Sequence, residues 1–232
     1  GNPSRNWIND HLVYTHGFGF VGAYANTIDA DGKPNFIVGN IPPTNGLGTF
    51  QPRVYFGENV PDYSIIGGSK STKAMELDYP DDASANGQKN FTYTGKGGVP
   101  IGSLVNKLLF AVKYQEQRIV LSNLINKDSK ILYNRDPKTA VSKVAPWLTL
   151  DGNPYPAVVD GKITWIIDGY TTSAGYPYSK YTNLATATTN SVTNATTSVD
   201  TLSNKDVNYI RNSVKATVDA YDGTVTLYQW DE

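Results

Sequence analysis

Any chemistry in this chain has to be built from carboxylates, phenols and a few cations, because the sequence contains no cysteine and only two histidines. The carboxylate that stands out is Asp168, which follows Trp165-Ile166-Ile167 and precedes Gly169-Tyr170. A carboxyl group at the end of an apolar strand has a raised pKa when water is excluded, as acid or base catalysis requires. The same residue can equally cap a turn in TTSAGYP. A glycosidase needs a second carboxylate at a set separation, and Glu76, Asp78, Asp81, Asp82 and Asp219 could each supply it. Beside Asp168 lies a dense run of rings, Tyr170, Tyr176, Tyr178 and Tyr181, with Pro177 among them. Amphipathic rings suit glycan stacking or a protein interface, and they suit core packing with tethered hydroxyls as well. Tyr170, Tyr176 and Tyr178 are therefore candidate ligand-binding residues.

A second candidate is Lys96 in TGKGGVP, where free backbone N–H groups and a nearby cation could cradle an anion. It is not a phosphate-binding Walker loop, since the spacing differs and no Ser or Thr follows Lys96. Glycines that let the chain turn into a packed helix explain the motif too. His11 and His16 are five residues apart, on opposite faces of a strand and about 140° apart on a helix, so one segment cannot easily present both to one metal. Asp29, Asp31 and Asn35 lack the distal Glu of a calcium loop, and a turn accounts for them. No metal site and no cofactor is expected. The GxSxG elbow of serine hydrolases is missing.

Bulk composition narrows the classes further. Twenty basic and 21 acidic residues give a net charge of −1, with no run of like sign, so nucleic acid is not an expected partner. Charged residues make up 18%, below the roughly 25% of an average globular chain, while tyrosine supplies 16 residues. The surface should be rich in Tyr, Asn, Ser and Thr. No apolar run approaches the roughly 18 residues needed to cross a bilayer, and no signal peptide is visible. The chain is then either cytoplasmic or an excised piece of something larger.

The elements that would position these groups read as follows. Ile101, Leu104, Val105, Leu108, Leu109 and Val112 recur at helical spacing, which predicts an amphipathic helix over about 100–115, entered through Pro100 and packed by that apolar side. Trp7, Ile8, His11 and Leu12 could form one short helical face; 118–125 fits either a buried strand or a second helix, with helix the preferred reading; Asp136-Pro137 opens another helix, running to about Ala145. Strands are expected at 53–58, 63–67, 74–80 and 130–135, and a polar loop over 81–90. Asp31-Gly32, Asp160-Gly161 and Asp222-Gly223 are hairpin turns. The nearly continuous apolar runs around Asp160-Gly161 predict strands covered on both faces, whereas the alternation at Val214, Ala216 and Val218 predicts one buried and one wet face. The stretch 181–204 has eight Thr, one charge and one aromatic residue, and reads as a flexible Thr/Asn-rich insertion. The fold class is thus α+β: a mostly antiparallel sheet with hairpins, covered by one long amphipathic helix and one or two shorter ones.

Five stretches together resemble the uncharacterised protein family 0182, large bacterial multi-pass membrane proteins: HLVYTHGFG, DADGKPNFIVGNIPP, GKGGVPIGSLVNKLLFAVKYQ, PWLTLDGNPYPAVVDGKITWIIDGYTTSAGYPYS and NYIRNSVKATVDAYDGTVTLY. The likeness covers most of the chain, is patchy over 44–94, and leaves 181–204 as an insertion. It implies that residues 1–232 are one soluble domain excised from an extracytoplasmic region at the cell membrane, with the protein's own transmembrane region as partner. It brings no reaction, cofactor or catalytic residue. The leading expectation is a binding or scaffolding role at the envelope, with an envelope glycan or protein as ligand. The alternative is an envelope hydrolase acting on glycan through Asp168 and a second carboxylate.

Overall fold

The computed structural model describes residues 6–44, 46–68, 74–187 and 205–230. After a short π-helical turn at Asn9–Val13, the chain runs through β1 (Gly17–Phe18), β2 (Gly22–Ile28), β3 (Pro34–Val38), β4 (Arg53–Val54), β5 (Tyr63–Ile66), β6 (Glu76–Pro80), β7 (Gln88–Phe91) and β8 (Val99–Pro100). Two helices follow, α1 (Leu104–Tyr114) and α2 (Arg118–Leu121), then β9 (Lys130–Tyr133) and α3 (Pro137–Val144). The remainder comprises β10 (Thr149–Leu150), β11 (Tyr155–Val159), β12 (Lys162–Ser173), β13 (Thr182–Asn183), α4 (Leu184–Ala187), β14 (Asp206–Val207), β15 (Tyr209–Asp219) and β16 (Val225–Gln229).

Strands dominate, and this overturns the α+β expectation of a sheet sealed by a long helix: among the described residues only α1 and α3 exceed seven residues. The largest sheet is five-stranded, with β15 and β16 on one side of β12 and both β10 and β11 on the other. β5, β9 and β8 make a three-stranded sheet, and the other described strands pair two by two. Every pairing between named strands is antiparallel.

The reason α1 fails as a lid lies in its own composition. LVNKLLFAVKY is apolar almost all the way round, so spacing alone does not choose the buried side. Phe110, Ala111 and Tyr114 pack against the core that Trp7, Leu12, Tyr63, Ile65, Ile101, Ile119, Ile125 and Ile131 form. Ile101 is buried, but it precedes the helix. The other five predicted core residues face solvent, Leu104 at 64% and Val112 at 77% exposure. Aromatic area explains the choice, because Phe and Tyr bury more apolar surface than Leu or Val at the same position. Pro100 ends β8 rather than opening the helix, and the start is set by Ser103, whose Oγ accepts from the Asn106 N–H at 3.2 Å.

Other local expectations fare differently. Asp136 caps α3 through the Thr139 N–H at 2.8 Å, with Pro137 at the first helical position. Asp29 Oδ1 accepts from the N–H groups of Asp31 and Lys33, closing the turn between β2 and β3. The helix expected over 118–125 is one turn long, and the loop expected over 81–90 gives up its last residues to β7. Of the 181–204 insertion, 188–204 lies outside the described residues.

The five-stranded sheet carries the correction that matters most for function. One face is buried: Ile167, Ala216 and Val218 pack with Val141 of α3. The opposite face was expected to be covered at β11 and β12, and it is open, with Tyr155 and Val159 exposed.

Candidate functional site

The open face follows from alternation. Along β12 the side chains of Lys162, Thr164, Ile166 and Asp168 share one face, along β15 those of Lys215, Thr217 and Asp219, and along β16 those of Thr226 and Tyr228. Register turns these into rows across the strands. Tyr155 stands opposite Ile166, Ile166 opposite Thr217, and Thr217 opposite Thr226. In a neighbouring row Asp168 stands opposite Lys215 and Lys215 opposite Tyr228. The result is a groove of about 820 Å³ with a floor of Thr164, Ile166, Thr217 and Thr226. Tyr155 forms one wall and Tyr228 with Trp230 the other. Three strand intervals of roughly 4.8 Å separate the walls by about 14 Å.

Two ion pairs cross the floor. Lys215 Nζ donates to Asp168 Oδ1, to which Asn212 Nδ2 also donates at 3.1 Å. The same ammonium lies 4.8 Å from the centre of the Trp230 ring, a cation–π contact that steadies the indole. Lys162 Nζ donates to Asp219 Oδ2 at 2.8 Å. Burial alone would push the Asp219 carboxyl up, but the bond from Lys162 and the N–H groups of Asp222 and Tyr221 outweigh it and hold its pKa below the usual value. The bond to Asp219 correspondingly raises Lys162. The groove thus offers ring faces, threonine hydroxyls and paired charges rather than a lone reactive group.

The other predicted residues do not gather there. Tyr170 is packed against Leu184 and Val207, and its hydroxyl donates to Asp151 at 3.1 Å. Burial raises its pKa, aided by that hydrogen bond. Tyr176 stacks on Tyr209 with ring centroids 5.3 Å apart, beyond the Ser173 end of β12, and Tyr178 is fully exposed nearby. Lys96 sits in a loop where two N–H groups are occupied from within: Asp222 Oδ1 accepts from Lys96 N at 2.8 Å, and the Tyr93 hydroxyl from Gly97 N at 3.0 Å.

Instead the structure joins His16, Glu76 and Asp78, which the sequence leaves apart. Glu76 is buried and its carboxylate accepts from the hydroxyls of Thr15 (3.1 Å) and Tyr55 (2.5 Å) and from the N–H groups of Gly67 and Tyr93 (both 3.0 Å). Asp78 takes a two-pronged bond from Arg53, both arms 2.7 Å, and lies 3.2 Å from His16 Nε2. The His16 side chain is fully enclosed, and burial lowers its pKa despite the nearby carboxylates. Arg135, also enclosed, donates to the carbonyls of Thr15, Tyr55 and Pro61 and to Ser64 Oγ. Burial lowers its pKa to about 10. Its polar atoms satisfied from within, this cluster ties the N-terminal segment to β4, β6 and the end of β9. Asp81 serves a turn, accepting from Ala83 N. No group of three His, Asp or Glu among the described residues could hold a metal ion.

Sequence reading passed over the groove walls because Tyr155, Tyr228 and Trp230 sit 75 residues apart at the extremes. The signal was present in the period-two pattern of β15 and β16, which marks a wet face without marking it as concave.

Fold and site together define a strand-rich module with one uncovered, aromatic-walled sheet face. The chain belongs to the uncharacterised protein family UPF0182, whose family model matches residues 1–232. It is 54% identical over 231 residues to a UPF0182 protein of Arthrobacter sp., 52% over 236 residues to one of Bifidobacterium adolescentis, and 55% over 234 residues to one of Frankia alni. These alignments cover 98%, 100% and 100% of this chain but 23%, 21% and 22% of the respective relatives. The chain therefore spans less than a quarter of the length of the curated relatives it matches. No solved structure matches it.

Proposed function

We propose that this chain is a ligand-binding module on the extracytoplasmic side of a longer membrane protein, and that the open sheet face takes a polyhydroxylated ligand of the glycan class. The observation that carries the reading is the groove itself. Flat rings on both walls suit the C–H faces of sugar rings, and the threonine floor and ion pairs offer donors and acceptors to hydroxyl groups. The commitment of Asp168 to Lys215 and Asn212 favours binding over hydrolysis, because a general acid must release or accept a proton freely. The envelope setting rests on the sequence resemblance, with the protein's own transmembrane region as its tether.

The test is calorimetric titration of the purified chain with soluble envelope polysaccharides, alone and with Trp230→Ala and Tyr155→Ala. Both walls lie outside the core, so the variants should fold while binding weakens about 30-fold for each lost ring. Unchanged affinity in both variants would defeat the sheet-face reading. Release of reducing ends that stops in Asp168→Asn would replace it with the hydrolase.

A further inference from the structure

A different surface carries the next inference, independently of the sheet face. Each helical residue advances by about 100°, which places Phe110, Ala111 and Tyr114 on the core side of α1 and Leu104, Val105, Leu108, Leu109 and Val112 along the opposite side. All five are exposed, Val105 at 66% and Leu109 at 64%, and Leu121 on the adjoining α2 is exposed at 75%. No described element packs over them. A helix that is apolar all round is normally enclosed by something.

Charge and composition indicate what encloses it. Across 103–128 there are four cations, Lys107, Lys113, Arg118 and Lys127, against two anions, Glu116 and Asp128, whereas the whole chain carries −1. Lys113, Arg118 and Lys127 are exposed; Lys113 borders the strip with its ammonium 4.0 Å from the centre of the Tyr133 ring, and Arg118 Nε lies 3.7 Å from Glu116. The strip itself is Leu and Val without Trp, Tyr or Arg, the residues that anchor protein–protein interfaces. An aliphatic strip bordered by cations is the signature of a helix lying in a lipid interface.

We propose that α1 and α2 form a membrane-docking surface. The helix lies in the plane of an anionic bilayer, Leu104, Val105, Leu108, Leu109, Val112 and Leu121 enter the boundary between headgroups and acyl chains, and Lys113, Arg118 and Lys127 meet the lipid phosphates. The test is sedimentation of the 232-residue chain with vesicles of phosphatidylglycerol and phosphatidylcholine. Binding is expected to fall at least about tenfold with pure phosphatidylcholine or in 1 M salt, where the screening length shrinks to about 3 Å. Leu108→Ser with Val112→Ser should weaken it by more than about tenfold while leaving the near-ultraviolet circular dichroism unchanged. As a second readout, tryptophan fluorescence of Val112→Trp should shift to the blue and be quenched by brominated lipid. Absence of vesicle binding overturns the proposal, as does binding that the double substitution does not affect. So does ultracentrifugation showing that the strip pairs two copies of the chain without any affinity for lipid.

Discussion

Arg135 shows how single side chains hold this molecule together. Its guanidinium satisfies three backbone carbonyls and a hydroxyl in the interior, so Arg135→Met would leave several acceptors without donors. A loss of about 3–5 kcal/mol is expected, read from urea unfolding followed by tryptophan fluorescence. His16 makes stability depend on pH. Its folded pKa lies below the ordinary 6.5 because burial disfavours the imidazolium more than Glu76 and Asp78 favour it. Below pH 6.5 the unfolded chain therefore takes up a proton that the folded chain refuses. This contribution is fully present above 6.5 and lost as pH falls through that value toward the folded one. His16→Gln should flatten stability between pH 7 and 5, measured by thermal melts. Asp219 acts in a separate window, since its depressed pKa gives stability that fades only as pH falls from about 3.8 downward. Of these residue-level features, the Asp136 cap and the Asp29 turn were legible, because both are local. The cluster of Thr15, His16, Arg53, Glu76, Asp78 and Arg135 was not, because it assembles residues up to 120 positions apart, and no spacing rule reaches across such a separation.

Among elements, α1 separates pattern from packing. Its existence was legible from spacing, and its orientation was not, because both sides are apolar and aromatic area decided which turned inward. Two substitutions on one helix should then behave oppositely. Phe110→Ala removes a ring packed on the core and should cost about 2–4 kcal/mol, whereas Leu109→Ala on the exposed side should fall within about 0.5 kcal/mol of the parent. Parallel chemical denaturation of the two variants checks this. The entry to α1 is constrained as well: a Cβ at Gly102 would meet the backbone of Lys127, so the segment leading into Ser103 and the loop after Ile125 are held together through a position only glycine fills without displacement. For β11 and β12 the error was of another kind. Continuous apolar runs predict two covered faces, but Tyr155, Val159 and Ile166 line an open groove.

At the scale of the whole molecule, small sheets and one five-stranded sheet share a strand-rich body with few helices, and the chain represents less than a quarter of its relatives' length. Among the described residues the sheet groove and the α1 strip are both uncovered, and they call for different occupants because one is ringed by aromatics and hydroxyls and the other is aliphatic with cations at its edge. The family was legible from motif strings, and the class of fold was not, since hairpin signals give pairs of strands without saying how many separate sheets they make. The two ion pairs of the groove have one more implication. β12 contributes an anion at Asp168 and a cation at Lys162, while β15 contributes a cation at Lys215 and an anion at Asp219. A slide of β12 along β15 by two residues would keep Ile167 and Ala216 pointing inward and escape correction by the hydrophobic interior. It would nevertheless take Lys215 from its place directly opposite Asp168, whereas Lys162 already reaches Asp219 on a diagonal, so the Asp168–Lys215 pair is the one that marks the native alignment of the two longest strands.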